Sequence, residues 1–378
     1  MAYLISEEAK DLLQDVHEFC ENEVKEQCKA YDVSGEWPKE IYDKAIEMQL
    51  HSLEVPEEYG GPGLSRVDVA ALIEEMAIAD AGFATTISAS GLGTKPVLIA
   101  GNEEQKKHVC QKIIDGGFGA FCLTEPGAGS DASAGTTTAV KDGDEWVLNG
   151  RKCFITNGPL ADYTAVYALT EPEKKAKGLS CFVVKKGTPG FSVGKIEDKM
   201  GIRSAQVSEM ILENVRVPKE NMIVESGQGF KLAMKTLDGG RIGVAAQGLG
   251  IAEGAFEIAK EYLKTREQFG KPLYRNQYLA FKMAELEMEI EAAKLMLYKA
   301  ATDKQEGRPY SLPAAKAKYL CTEAAMHVTT EAVQMLGGNG YMKEYHVERM
   351  LRDAKITQIY EGTNEIQKLV ISGNMFRK

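Results

Sequence analysis

The feature that most restricts how this chain can fold is a double change of period. From Ser6 to about Ile114 the apolar residues recur at helical spacing, as in the stripe Leu12, Leu13, Val16, Phe19 and Cys20. Ser6 before Glu7-Glu8 reads as the first helix cap, and further helices are expected at Lys39 to Met48, Val67 to Asp80 and Glu103 to Ile114. Val55 to Ser65 reads as loop from its glycines and prolines, while Ser88 to Leu98 fits neither period. After Gly116-Gly117 the pattern breaks into short alternating segments: Phe118 to Leu123, Glu145 to Asn149, Cys153 to Thr156, Tyr163 to Leu169, Leu179 to Val184 and Val207 to Val217. From about Gln228 helical spacing returns, through Phe230 to Phe269, Gln277 to Thr302, Pro313 to Leu336 and two short helices near the end. Strands in that density with no helices between them predict an antiparallel sheet or barrel. The expected class is α+β in three parts: a helical domain over 1–115, a β domain over 116–226 and a four-helix bundle over 227–378.

Composition then removes whole classes of function. A net charge of −10 with no basic cluster argues against nucleic-acid binding, which needs concentrated positive charge to displace counterions. Seven cysteines without a C-x-x-C pair read as reduced thiols, and five histidines without ligand spacing predict no metal site. The start, MAYLISEEAKDLL, has neither an apolar secretory core nor an arginine-rich transit pattern, and no apolar run reaches membrane length. A protein with no membrane insertion is expected, either cytoplasmic of bacterial type or the mature form of a matrix protein without its transit peptide. Gly248-Leu249-Gly250-Ile251-Ala252-Glu253-Gly254 imitates a dinucleotide fingerprint, but it lies inside an alanine-rich helical run with no strand before it. Close helix packing explains it better.

Three stretches carry residues suited to chemistry. Leu123-Thr124-Glu125-Pro126-Gly127-Ala128-Gly129-Ser130-Asp131 ends an apolar strand in a rigid turn. Its N–H groups suit an anion or the polar edge of a heterocycle, although an ordinary connecting turn fits equally well. Phe154-Ile155-Thr156-Asn157-Gly158 adds an aromatic ring and a hydroxyl in the same sheet region, the pairing that covers the face and bonds the edge of a flat cofactor. Near the end, in ERMLRDAKITQIYEGTNEIQ, Glu361 falls between a helix ending near Thr357 and a new helix start at Thr363-Asn364-Glu365. Flanked by Tyr360 and Gly362, it is seated as a general base, against the plainer reading of a solvated loop acid.

The segments R-M-L-R-D and I-Y-E-G-T-N-E-I-Q, T-E-P-G-A-G-S-D and F-I-T resemble the acyl-CoA dehydrogenase family, most closely its short-chain, butyryl-CoA members. The likeness extends over essentially the whole chain. It implies an FAD enzyme in which Phe121, Leu123, Thr124, Gly129, Ser130, Phe154, Ile155 and Thr156 line the flavin, where many members carry Trp in place of Phe154. It also implies FAD contacts at Arg266, Phe269, Gln277, Gln334, Leu336, Gly337 and Gly338, supplied to a neighbouring subunit, and at Thr363 and Glu365. A homo-oligomer, a tetramer, follows. Ser130, Asp238, Arg241, Tyr360 and Gly362 would touch the acyl-CoA substrate. A minority branch of the family has a glutamate base at the position of Gly240, so here the base is Glu361. Taken alone, Arg266 is a helix-end arginine, Gly337-Gly338 a helix cap and Asp238-Gly239-Gly240-Arg241 a kink with a surface ion pair.

The function implied is dehydrogenation of a short-chain acyl-CoA to the trans-2-enoyl-CoA. Glu361 would remove the α-proton, and the electrons would pass to an electron-transfer flavoprotein. Three rivals share these residues: an enoyl-CoA reductase working in reverse, an acyl-CoA oxidase releasing peroxide, and a non-catalytic acyl-CoA-binding scaffold.

Overall fold

A computed structural model describes residues 5–376. Helix α1 (Glu7–Phe19) starts as the sequence predicts, with Ser6 Oγ accepting from the Ala9 N–H at 3.2 Å, and passes through one π-helical turn into α2 (Lys25–Ser34). Helix α3 (Lys39–Glu47) precedes α4 (Arg66–Ala79), whose start is locked by a reciprocal Ser65–Asp68 capping box. Helix α5 (Ala81–Ala100) absorbs the stretch that fits neither period, and α6 (Glu103–Ile114) follows. The ambiguity of α5 has a physical cause: it is enclosed by α4, the sheet and the bundle, so no polar stripe marks a solvent face.

The sheet comprises β1 (Gly119–Cys122), β2 (Thr138–Asp142), β3 (Glu145–Thr156), β4 (Tyr163–Leu169), β5 (Leu179–Lys185), β6 (Phe191–Ile196), β7 (Val207–Pro218) and β8 (Met222–Val224). Its order is β6-β7-β3-β2-β4-β5-β8, with β1 also on β4. Most pairings are antiparallel as expected, but β1 runs parallel to β4, Gly119 opposite Tyr163, and β2 meets β4 in parallel at Thr138 and Leu169. After β1 the chain leaves through the 123–131 loop, builds β2 and β3, and returns beside β1 in the same direction. The two segments expected at Glu145 to Asn149 and Cys153 to Thr156 are one strand, β3, with register shifts against β7 after Leu148 and Lys152. Strand β6 went unread because most of it is exposed at the sheet edge and lacks an apolar alternation.

The rest of the chain is α7 (Gly229–Thr265), a small hairpin of β9 (Glu267–Gln268) and β10 (Lys271–Pro272), then α8 (Gln277–Gln305), α9 (Ser311–Leu336), α10 (Val347–Thr357) and α11 (Asn364–Met375). Helix α7 ends before the expected Phe269, where the hairpin takes over with Phe269 at φ 54° and Gly270 at φ 75°. The kink expected at Asp238-Gly239-Gly240-Arg241 is absent, since α7 runs through it unbroken. The other glycines of α7 serve close packing, as the sequence suggests: a Cβ on Gly250 would lie 2.2 Å from the Glu74 carbonyl of α4. One apolar core joins the N-terminal helices to α7–α10, and two more cover the faces of the sheet. All seven cysteines are free and buried. Among the described residues no helix is long and apolar enough to cross a membrane, and no cluster of ligands could hold a metal ion.

Candidate active site

Between α10 and α11 the chain reverses on two left-handed residues, Glu361 at φ 51° and Gly362 at φ 90°. A glutamate in that conformation costs about 1 kcal/mol or more, so its surroundings must hold it there. They do so from both sides. The Asn364 N–H donates to the Gln358 carbonyl at 2.9 Å, Gln367 Nε2 donates to the Gly362 carbonyl at 2.8 Å, and Thr363 caps α11. From α9, Lys318 Nζ reaches Asn364 Oδ1 at 2.8 Å, and from α7, Gln247 accepts from the Tyr360 hydroxyl.

The reversal aims the Glu361 carboxylate between α5 and α7. Its Oε2 is enclosed and has no hydrogen-bond partner. A Cβ on Gly240 would lie 2.0 Å from that oxygen and 3.0 Å from Leu92 Cδ1, so the missing side chain on α7 is what makes room for the acid. Burial pushes the Glu361 carboxyl up to about 7, against the pull of the Lys95, Arg241 and Lys318 cations and with a small push from Glu54. Arg241 is buried, pairs with Asp238 at 2.6 Å and keeps an unpartnered Nε. Among the described residues nothing accepts the Glu361 backbone N–H.

On the sheet side, the loop after β1 is fixed from beneath. Buried Glu125 accepts from Lys152 Nζ at 2.8 Å, from Thr136 N–H and Oγ1 at 2.6 and 2.9 Å, and from Thr137 N–H at 3.1 Å. Burial alone would raise the Glu125 carboxyl; Lys152 and these donors outweigh it and hold it at about 2. Lys152 also donates to the Leu123 carbonyl at 3.0 Å, and the Cys153 N–H donates to the Thr124 carbonyl at 3.0 Å. The loop and the end of β3 thus form one rigid ledge. Sequence reasoning passed over Lys152, which looks like a surface lysine in R-K-C; the signal is that it lies three residues from buried Ile155 across a bulge, where strict alternation fails.

What the ledge presents outward fits a flat heterocycle with a polar rim. Phe154 sits at φ 57° with 67% of its surface exposed, and neither the Thr124 nor the Thr156 hydroxyl pairs with any described residue. Gly127, Gly129 and Ser130 are exposed, with open space at both glycines. Leu123 and Ile155 turn their side chains into the cores, so only their backbones can serve a ligand. Glu361 lies close by. Leu237 of α7 joins the apolar cluster of Phe121, and Gly240 comes three residues later, about 5 Å along the helix axis. Asn157 Nδ2, donating to the Thr86 carbonyl at 2.9 Å, ties β3 to α5 as well.

The remaining predicted residues gather elsewhere. Arg266, Phe269 and Gln277 are exposed around the β9–β10 hairpin, and Gln334, Gly337 and Gly338 are exposed at the end of α9. The Asn339–Tyr262 hydrogen bond at 2.8 Å joins those two stretches. Leu336 is buried, and Glu365 is exposed in the first turn of α11. Among the described residues no hydrogen bond or apolar cluster links the hairpin end to the 123–130 loop.

Comparison with known proteins covers the chain part by part. Family models for the acyl-CoA dehydrogenase N-terminal, middle and C-terminal domains match residues 6–117, 120–215 and 227–376. The short-chain specific acyl-CoA dehydrogenase of Megasphaera elsdenii is 48% identical over 383 residues, 100% of both chains. Butyryl-CoA dehydrogenase from the same organism superposes with a TM-score of 0.96 at 47% identity, over 99% of each chain. A chain from the structural study of the electron transferring flavoprotein of Acidaminococcus fermentans gives 0.97 at 46% identity, again over 99% of each. With all three parts matched in order over nearly the whole chain, this chain belongs to the acyl-CoA dehydrogenase family.

Proposed function

We propose that this chain oxidises a short-chain acyl-CoA to its trans-2-enoyl-CoA, with FAD as cofactor and an electron-transfer flavoprotein as electron acceptor. The observation that carries the reading is the enclosed, unpartnered Oε2 of Glu361 with its raised proton affinity. A base for an α-proton must be free of competing donors, shielded from water and not too weak at neutral pH. Bound FAD supplies the acceptor for the β-hydride. The residues proposed to hold it are Phe121, Leu123, Thr124, Gly129, Ser130, Phe154, Ile155 and Thr156, with Thr363 and Glu365 from the turn after the base. The unpaired N–H of Glu361 is suited to the thioester oxygen, where negative charge develops as the proton leaves. Asp238, Arg241, Tyr360, Gly362 and Ser130 are the proposed substrate contacts.

We take the working form to be an oligomer, a tetramer, in which Arg266, Phe269, Gln277, Gln334, Leu336, Gly337 and Gly338 serve the neighbour's cofactor. The exposure of Phe269, Tyr278, Phe281 and Met288 on the hairpin and α8 supports an apolar interface there. Seven free, buried thiols suit a reducing cytoplasm. The test is anaerobic: the flavin-loaded protein should bleach with butyryl-CoA, and Glu361→Gln should hold its flavin unbleached. Bleaching of that variant at the normal rate would remove Glu361 as the base.

A further inference from the structure

Asn157 is the residue after Thr156, at the point where the chain leaves β3 and the ledge. Its backbone is left-handed, at φ 62°, and is fixed on both sides: the N–H donates to the Gln206 carbonyl at 2.9 Å, and the carbonyl accepts from the Leu160 and Ala161 N–H groups at 2.9 and 2.8 Å. The side chain is wholly buried and makes a contact that the turn does not need. Its Nδ2 donates at 2.9 Å to the Thr86 carbonyl of α5, 71 residues earlier, while Oδ1 has no partner among the described residues. Glycine would adopt that φ at no cost, and a buried acceptor left unpaired costs about 1–3 kcal/mol. An amide is therefore a poor choice here for stability alone. What it adds is the tie to α5.

Helix α5 is the element that the ledge and Glu361 have in common. Against the sheet it packs backbone on backbone: a Cβ on Gly93 would lie 2.3 Å from the Ala120 N of β1, and Ser90 Oγ accepts from the Gly119 N–H at 3.1 Å. Farther along, Leu92 borders the space that holds the acid, since a Cβ built on Gly240 would meet both Leu92 Cδ1 and Glu361 Oε2. Thr86 and Leu92 are separated by about 9 Å along the helix axis.

We propose that Asn157 is a positioning residue: its bond to Thr86 fixes the cofactor-bearing end of β3 against α5, and through α5 sets the spacing between the ledge and Glu361. The Glu361 carboxylate must reach the Cα proton of the acyl group while Cβ stays over the ledge. A ledge that drifts relative to α5 misaligns one or the other, although each half of the site stays intact. The inference rests on the dehydrogenase reading above and names the residue that keeps its two halves in register.

The test compares the flavin-loaded oligomer as wild type, Asn157→Gly and Asn157→Asp. Asn157→Gly keeps the left-handed turn and removes the tie, and Asn157→Asp keeps the shape and removes the donor. The rate of anaerobic bleaching by butyryl-CoA, per bound flavin, should fall by at least about tenfold in both, given that a displacement of about 1 Å costs roughly a hundredfold. A second readout needs no turnover. The affinity of the oxidised protein for crotonyl-CoA, followed through the flavin absorbance, should stay within about threefold of wild type, because the lost alignment matters to the transition state and not to binding. Ser90→Ala, which loosens α5 from β1 without touching the turn, should slow bleaching by the same measure and serves if neither variant at 157 folds. A smaller fall in a folded, flavin-loaded variant would overturn the proposal. So would a fall matched by an equal loss of flavin or of crotonyl-CoA affinity, which is the mark of a general loosening. If no acyl-CoA bleaches the wild type, the dehydrogenase reading itself fails and this inference with it; normal bleaching of the variants beside a reactive wild type removes Asn157 alone.

Discussion

Lys152 Nζ lies 2.8 Å from Glu125 Oε1, with both side chains almost wholly out of water, beneath the loop that carries Thr124, Gly129 and Ser130. Breaking such a pair on one side leaves a buried charge alone, which costs more than the pair contributes when intact. Lys152→Met should therefore destabilise the protein by about 3 kcal/mol, and adding Glu125→Leu should return part of that. Urea unfolding of the single and double variants measures both. The pair also has a pH signature. The Glu125 carboxyl is lowered from 4.5 to about 2, so its stabilisation is complete above pH 4.5 and disappears as pH falls toward 2.

Gly240 is the strictest position beside Glu361, the proposed base. With a Cβ 2.0 Å from Glu361 Oε2, Gly240→Ala must push the carboxylate aside. Misplacing a reacting group by about 1 Å costs roughly a hundredfold, and kcat/KM for butyryl-CoA should fall by that order while flavin content stays normal. Turnover assays beside the flavin absorbance of the purified variant check this.

The pH dependence of kcat/KM should report Glu361 directly. Since the base acts ionised and its proton affinity is raised to about 7, activity should climb through pH 7 and level off above it. Five charged residues act on it from outside its own turn: Lys95 of α5, Glu54, Arg241 of α7, Lys304 of α8 and Lys318 of α9. Lys318 is itself pushed down to about 7 by burial and carries its charge through the lower part of that climb; Lys318→Met removes a cation that favours the carboxylate there, so the midpoint should move to higher pH. A loss of activity with an unmoved midpoint would assign Lys318 a purely structural part.

Glu361 should also be a burden on folding. Between pH 4.5 and about 7 the native state keeps a proton that the unfolded chain has released, so stability declines across that range as pH rises. Glu361→Gln removes the penalty. It should match the wild type below pH 4.5 and exceed it by up to about 3 kcal/mol at pH 8, read from paired melting curves.

How much of this was legible depended on whether a residue's neighbours in sequence are its neighbours in space. The caps at Ser6 and Thr363, the limits of β4 and α6, and the break carrying Glu361 are local matters of turn chemistry and period, and the sequence shows them. The parallel meeting of β1 and β4 is not local, since the partners are separated by two other strands. Helix α5 is hidden by burial on every side, and Lys152 by a bulge that upsets the alternation used to read strands. The glycines of α7 illustrate the same limit. Asp238-Gly239-Gly240-Arg241 reads as a kink, and only the packing of Glu361 and Lys304 against the bare backbone explains why helix is retained without side chains.

Phe269 remains, a benzene ring with 97% of its surface in water at the tip of a two-strand hairpin. Water gives that placement no reward, and the ring contributes nothing to the chain that carries it. In the proposed oligomer it would serve another copy. On that reading a lone protomer is an unfinished object, and its yellow colour should fade on dilution as subunits come apart, well before any helix melts.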